Sequence, residues 1–347
     1  MSGTLRPASS EWVFDEQAFL RKIPYPVVPT NLKGVYAGVA PPDDFDPNTA
    51  SPSELIKNGI LWRRPTAADP PAFREAWQKV FSRKWLAKDR IVPTLEPQVG
   101  RTHILKKAPR KISDTNYLGY AWSGAVSFTG GPYVGICGIW TVPTVSNAPQ
   151  PPSSYPSYDS THYIAYDSSS WVGMDGFGAS TDVLQTGVEQ YVDTSGNPHY
   201  VAWYEWSVPN PPDIAPSYVY QTPIPDFPVS AGDEMFGWVS YLGTTAGVIY
   251  LANNTTGQHF SITLPPPPDA TFSGNSVEWI MEDPDGGEGT NTALAKFTPV
   301  EFTFCLACSP SATNTLGDST CNIETLDGQV LTSVTLGDYA VTIDFIG

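Results

Sequence analysis

The sequence predicts an all-β domain of two packed antiparallel sheets, preceded by a basic segment of mixed helical and irregular character. Three observations carry this. From Asn116 onward, short runs of β-branched and aromatic residues alternate with Gly, Pro, Asn and Ser turns, the texture of a β-sandwich. The 347 residues include 35 Pro and 29 Gly, which suits many short strands joined by tight turns. Charge is divided: residues 1–111 hold 18 of the 19 Lys and Arg but only 11 of the 35 Asp and Glu, so residues 1–111 carry +7 and residues 112–347 carry −23. So large an asymmetry marks a boundary near Lys111 and implies that the two parts attract each other at neutral pH.

Taken in order, Met1 to Leu20 lacks a basic start followed by an apolar run, so no secretory signal is expected and localisation is left open. Residues 23–52 are Pro-rich and irregular. Ser51-Pro52-Ser53-Glu54-Leu55 has the form of a capped helix start. Pro71 to Asp89 predicts an amphipathic helix, with Phe73, Trp77, Val80, Phe81 and Trp85 at three- and four-residue spacing and Arg74, Lys79, Arg83 and Lys88 on other faces. Such a helix either packs on a small core of its own or docks on the acidic part and covers a cleft there. Lys106 to Lys111 reads as an exposed basic linker and a processing site. Pro-rich insertions at 208–228 and 264–269 are longer than a hairpin needs and form either rim loops or surface decoration.

Four runs of the β region share one feature. Side chains alternate faces along a strand. In 183–189, Gln185 and Glu189 therefore share a face with Leu184 and Val188 behind; in 277–283, Glu278 and Glu282 share a face with Val277, Trp279 and Met281 behind. Trp171 pairs with Asp175, and Trp203 with Glu205, in the same way. Four strands thus present carboxylates, amides and indoles and no cation. Alternation alone allows this face to be no more than the solvated outside of a sheet.

These runs also carry a resemblance. Ser170-Trp171-Val172-Gly173-Met174-Asp175-Gly176, Leu184-Gln185-Thr186-Gly187, Ala202-Trp203-Tyr204-Glu205-Trp206 and Glu278-Trp279-Ile280-Met281-Glu282-Asp283 resemble, in order, the eqolisins, the glutamic endopeptidases. Asn254-Thr255-Thr256-Gly257-Gln258, Tyr120 to Ala125 and Trp140-Thr141-Val142-Pro143 also resemble that family, so the likeness covers about residues 116–305. It implies a concanavalin-like sandwich of two curved antiparallel sheets with the active site on the concave face. It implies that Glu278 is the general base that activates a water and then protonates the leaving amine, and that Gln185 orients the water and donates to the oxyanion. Trp171, Asp175, Glu189, Trp203, Glu205 and Glu282 match positions lining the cleft or supporting the dyad. Two positions depart from the family: Glu189 stands where Asp is usual and Val201 where Asp is common, so one supporting carboxylate is missing. The resemblance further implies a polypeptide substrate, no cofactor, a monomer, and an N-terminal prosegment acting as intramolecular inhibitor, trimmed near residues 106–115 at low pH.

Composition agrees with acid function. A part with 24 carboxyls and one lysine has almost no cations to repel one another when its carboxyls are protonated, and strong negative self-repulsion at neutral pH. Other chemistries find little support. His103, His162, His199 and His259 have no metal-ligand spacing, and no Gly-x-Ser-x-Gly run occurs. Asp193-Thr194-Ser195-Gly196 only approximates an aspartic-protease motif. Two carboxylates on a sandwich face would also suit a glycoside hydrolase, and aromatic strands a lectin-like module. A glycosidase would not need Gln185; a lectin would bind without turnover. Cys137, Cys305, Cys308 and Cys321 allow either a disulfide or free thiols. Neither a membrane nor a nucleic-acid partner is expected.

Overall fold

The computed structural model describes residues 14–82, 87–105, 108–157, 163–178, 182–209, 211, 215–284, 293–310, 313–315, 319–325 and 327–347. Two large sheets face each other. The strands used below are β1 (Tyr36–Gly38), β2 (Trp122–Ser127), β3 (Gly135–Thr141), β4 (Tyr163–Met174), β5 (Val183–Asp193), β6 (Pro198–Ser207), β7 (Thr222–Pro223), β8 (Glu234–Leu242), β9 (Ala246–Asn253), β10 (His259–Leu264), β11 (Val277–Glu282), β12 (Val300–Cys308) and β13 (Ser319–Ile323). One sheet runs β7-β6-β5-β4-β11-β2-β13; the other contains β1-β10-β9-β8-β3-β12. The neighbours in these two runs pair antiparallel. Among the described strands, β13 departs from the expectation by pairing parallel with Asn116–Gly119.

The alternation places the core as expected. Val172, Leu184, Val188, Ala202, Trp279 and Met281 of the first sheet pack with Ile136, Trp140, Met235, Val239, Ile249 and Phe260 of the second. Burial of this layer, at roughly 25 cal/mol per Å² of apolar surface, is what holds the sheets together. Gly138 and Gly237 let the sheets approach: a Cβ at Gly138 would sit 2.9 Å from the Trp279 ring, and one at Gly237 2.8 Å from Val172.

The basic segment is built into the sandwich. Strand β1 extends the second sheet by pairing with β10. Helix α1 (Pro52–Lys57) starts with the anticipated Ser51/Glu54 capping box. Helix α2 (Pro71–Phe81) is shorter than the periodicity suggests; Trp85 lies outside the described residues. With Trp62, its residues Phe73, Trp77, Val80 and Phe81 pack on Ile139, Phe236, Trp238, Tyr250 and Leu306, the outer face of the second sheet. The helix thus docks on the acidic part but not over the polar strand face. An apolar stripe needs an apolar partner, which the second sheet supplies and the carboxylate-lined face does not. Lys79 adds an ion pair to Glu234 at 2.7 Å, half-exposed and worth little.

Among the described residues no helix is long and apolar enough to cross a membrane, and no group of three or more His, Cys, Asp or Glu is placed to hold a metal ion. Cys137, Cys305 and Cys321 are buried thiols. His162 lies outside the described residues.

Candidate active site

Register brings the distant motifs into one row. Gln185 of β5 and Glu278 of β11 both pair with Gly173 of β4, and Glu205 of β6 pairs with Gln185. Residues paired across antiparallel strands share a face, so Glu205, Gln185, Gly173 and Glu278 lie abreast. Two strand spacings separate Gln185 from Glu278, roughly 10 Å between their Cα atoms, and the residue between them has no side chain. A Cβ on Gly173 would sit 2.8 Å from the Trp171 ring and 3.1 Å from Gln185 Cβ. Gly173→Val is therefore expected to lower turnover at least 10-fold by crowding the space both side chains face, and to cost about 1–3 kcal/mol of stability by forcing the Trp171 ring to shift; side-by-side kinetics and calorimetry check this.

The next rows complete the face. Gly187 of β5, Trp171 of β4 and Ile280 of β11 are abreast, with Trp203 of β6 opposite Gly187; then come Glu189, Ser169 and Glu282. Trp171 Nε1 donates to Glu282 Oε2 at 2.7 Å, and Trp203 Nε1 donates to Ser169 Oγ at 2.9 Å. Asp175 leaves the row. It follows the end of β4 with φ 68°, and its carboxylate accepts from Tyr241 Oη (2.8 Å), Ser273 Oγ (2.6 Å) and the backbone N–H groups of Gly274 (2.9 Å) and Asn275 (2.7 Å). Alternation stops where the strand stops; Asp175 fixes the turn that leads into β11 and so the start of the Glu278 strand.

This face is not solvated. Gln185, Glu189, Glu205 and Glu278 are all 0% exposed. The cover is the stretch 95–105 of the basic segment. It adds along the sheet edge beside β7: Glu96 N donates to Pro223 O (3.1 Å), Gln98 N to Gln221 O (2.8 Å) and Gln221 N to Arg101 O (3.0 Å). It then crosses the face. The Arg101 guanidinium pairs with Asp167 and, at 2.7 Å, with Glu189; Gln221 Nε2 also donates to Glu189. His103 stacks on Trp203, rings 3.9 Å apart and 7° from parallel. Its Nδ1 lies 2.9 Å from Glu282 Oε2, its N–H donates to Glu205 Oε2 at 3.0 Å, and its carbonyl accepts from Gln185 Nε2 at 3.4 Å. Ile104 and Leu105 pack on the cluster of Trp122, Val126, Trp171, Phe177 and Ile280.

Burial without partners sets the electrostatics. Neither Glu278 oxygen, nor Gln185 Oε1, sits in hydrogen-bond geometry with a described residue. Burial pushes the Glu278 carboxyl well above the usual range; the Ser276 hydroxyl opposes this and the Asp175 charge adds to it. Burial likewise pushes Glu205 up to about 8, against the pull of His103. Burial draws His103 down, but the charge and hydrogen bond of Glu282, with Glu205, outweigh it and leave the imidazole raised. The signs agree. A raised carboxyl gives stability that is full below its unfolded value near 4.5 and falls as pH rises toward 8; a raised imidazole gives stability that is full below about 6.5 and is lost above. The full chain is expected to lose several degrees of melting temperature between pH 5 and pH 8, at about 2–4 °C per kcal/mol. Glu205→Gln, neutral at every pH, should flatten that slope; an unchanged slope would place the coupled protons elsewhere.

Sequence reasoning missed Gly173 as the gap, Asp167 and Ser169 as members of the face, Gln221, and the two cations Arg101 and His103. Asp167 and Ser169 continue the alternation of Trp171 upstream and were findable. Gln221 lies in the 208–228 insertion, which is no mere decoration: it carries the edge strand on which 95–98 pairs.

The model of the Peptidase A4 family matches residues 120–345. Aspergillopepsin-2 of Aspergillus niger is 32% identical over 243 residues, 68% of this chain and 82% of that protein. Scytalidopepsin B of Scytalidium lignicola is 29% identical over 182 residues, 51% of this chain and 65% of its own length. The structure of scytalido-glutamic peptidase with a transition state analog inhibitor covers 65% of this chain and 98% of its own, with 25% identity and a TM-score of 0.52. Fold and relatives together define a glutamic-type endopeptidase, a hydrolase built on a β-sandwich. The chain belongs to the Peptidase A4 family, the eqolisins.

Proposed function

We propose that this chain hydrolyses polypeptides at acid pH with a Gln185/Glu278 dyad, as a monomer, and that its basic N-terminal segment holds it latent until removed. The reading rests chiefly on one observation: the amide of Gln185 and the buried carboxyl of Glu278 flank the side-chain-free position Gly173 in a single register row. Peptide hydrolysis needs an activated water, an oxyanion donor and a proton for the leaving amine. Glu278, as carboxylate, takes a proton from water; as acid, it returns one to the amine. Gln185 Nε2 donates to the oxyanion without adding charge. Glu205, which accepts from Gln185 Nε2 at 3.2 Å, orients that amide. Glu189, Trp203, Trp171 and Glu282 form the walls on which a polypeptide would lie, and Asp175 supports Glu278 from behind.

Latency follows from the same contacts. Arg101 and His103 bring the cations that the carboxylate-lined face lacks, and the stretch they belong to fills the space a substrate would need. Digestion of acid-denatured haemoglobin by the full chain, followed from pH 3 to pH 7 together with the mass of the chain itself, tests this. Loss of the N-terminal segment followed by haemoglobin cleavage at low pH is expected; an intact, folded, inert chain at every pH would overturn the proposal.

A further inference from the structure

The covering stretch crosses the face in a substrate-like way. His103 has its N–H on Glu205 of β6, its ring on Trp203 of β6, its carbonyl on Gln185 Nε2 of β5 and its Nδ1 beside Glu282 of β11. Ile104 and Leu105 pack against the cluster that includes Trp122 and Val126 of β2, Trp171 of β4 and Ile280 of β11. Strand β4 runs between β5 and β11, and its residue in the dyad row is Gly173. The carbonyl of the His103–Ile104 link thus sits on the Gln185 amide, in the register row that also holds Gly173 and Glu278. A cover that merely blocked the face would have no need to offer a carbonyl to the oxyanion donor.

We infer that His103–Ile104 is the bond this chain hydrolyses in itself, an assignment that rests on the dyad reading above. The oxygen of a water adds to the His103 carbonyl carbon as its proton passes to the Glu278 carboxylate. The carbonyl oxygen becomes an oxyanion held by Gln185 Nε2. Collapse breaks the bond to the Ile104 nitrogen, which takes the proton from Glu278. The products are a carboxyl group on His103 and an amine on Ile104, and Glu278 returns to its starting state. Arg101, on Asp167 and Glu189, and His103, on Trp203, fix the segment on the upstream side of the bond; Ile104 and Leu105 fix the downstream side. The first cut thus falls within the docked stretch, upstream of the basic linker at 106–111.

Early time points of full-length chain, incubated at the pH at which it digests added haemoglobin fastest, are analysed by intact mass and N-terminal sequencing. The expected first products are 1–103 and 104–347, with Ile104 as new N-terminus. Glu278→Gln should yield neither, and Ile104→Pro, which leaves the dyad untouched, should lower the rate of that cut at least 100-fold. A circular-dichroism melt shows whether each variant is folded. A first N-terminus elsewhere, for example within 106–115, in a chain that digests haemoglobin overturns the assignment and leaves the dyad reading standing. Appearance of Ile104 at an undiminished rate in folded Glu278→Gln overturns it too, since another agent would then be cutting. A folded wild-type chain that cuts neither itself nor haemoglobin overturns both.

Discussion

Replacing Glu278 by Gln is expected to lower kcat on a protein substrate by about 10²–10⁴-fold, the range for loss of a positioned acid–base group. Gln keeps the size of the side chain and removes the proton-carrying carboxyl of the dyad. Gln185→Ala is expected to cost about 10²–10³-fold, as for loss of one oxyanion donor. The two residues act on the same water and the same carbonyl, so the double variant should be little slower than Glu278→Gln alone. Fold should be preserved: both positions face away from the inter-sheet core of Leu184, Trp279 and Met281. Glu278→Gln also replaces a buried carboxyl, whose charged form burial disfavours, by a neutral amide, so its melting temperature at pH 8 should not fall below that of the wild type. Steady-state kinetics after complete removal of the N-terminal segment, on enzyme titrated by mass, checks the series. Equal activity in wild type and Glu278→Gln would remove the carboxyl from the chemistry.

Arg101→Met should shorten or abolish latency. The guanidinium is 3% exposed and pairs with Asp167 and Glu189, both 0% exposed. Taking one partner from a buried ion pair typically costs about 3–5 kcal/mol, because the remaining charges are left without water or counter-charge. Here that cost has an escape: the stretch 95–105 can lift off and let water reach the two carboxylates. The balance between covered and open face should then shift by about 10²–10³-fold, at 1.4 kcal/mol per factor of ten. Full-length Arg101→Met is expected to digest haemoglobin with no lag under conditions where the wild type shows one. Lys79→Ala serves as control, since its half-exposed pair with Glu234 lies on the far sheet and should leave the lag unchanged. A wild-type lag in Arg101→Met would mean that other contacts hold the cover.

The strand faces were legible in the sequence because period two is a local property. Leu184 and Val188, or Val277, Trp279 and Met281, declare their side of the sheet without knowledge of any partner. The pairing of β5 and β11 with β4 was reachable only through family resemblance; alternation does not say which strands are neighbours, and Gly173 carries no signal of being the gap between two functional side chains. Asp175 shows where a periodic argument stops: one residue beyond Met174 the backbone turns left-handed and the face is lost. The helix at 71–81 was legible as amphipathic, but its apolar stripe could not reveal which apolar surface it would find. Arg101 and His103 sit in a stretch without period, and no local pattern distinguishes them from the other cations of residues 1–111. The division into +7 and −23 was the signal for them, and it spoke of attraction between the two parts without naming the contact.

The most direct measurement is a high-resolution crystal structure of the acid-matured enzyme, freed of its N-terminal segment. The account predicts one ordered water within hydrogen-bond distance, about 2.6–3.2 Å, of both Gln185 and the Glu278 carboxyl, above Gly173. Side chains turned to opposite faces of the sheet, or too far apart to share a solvent molecule, would contradict it.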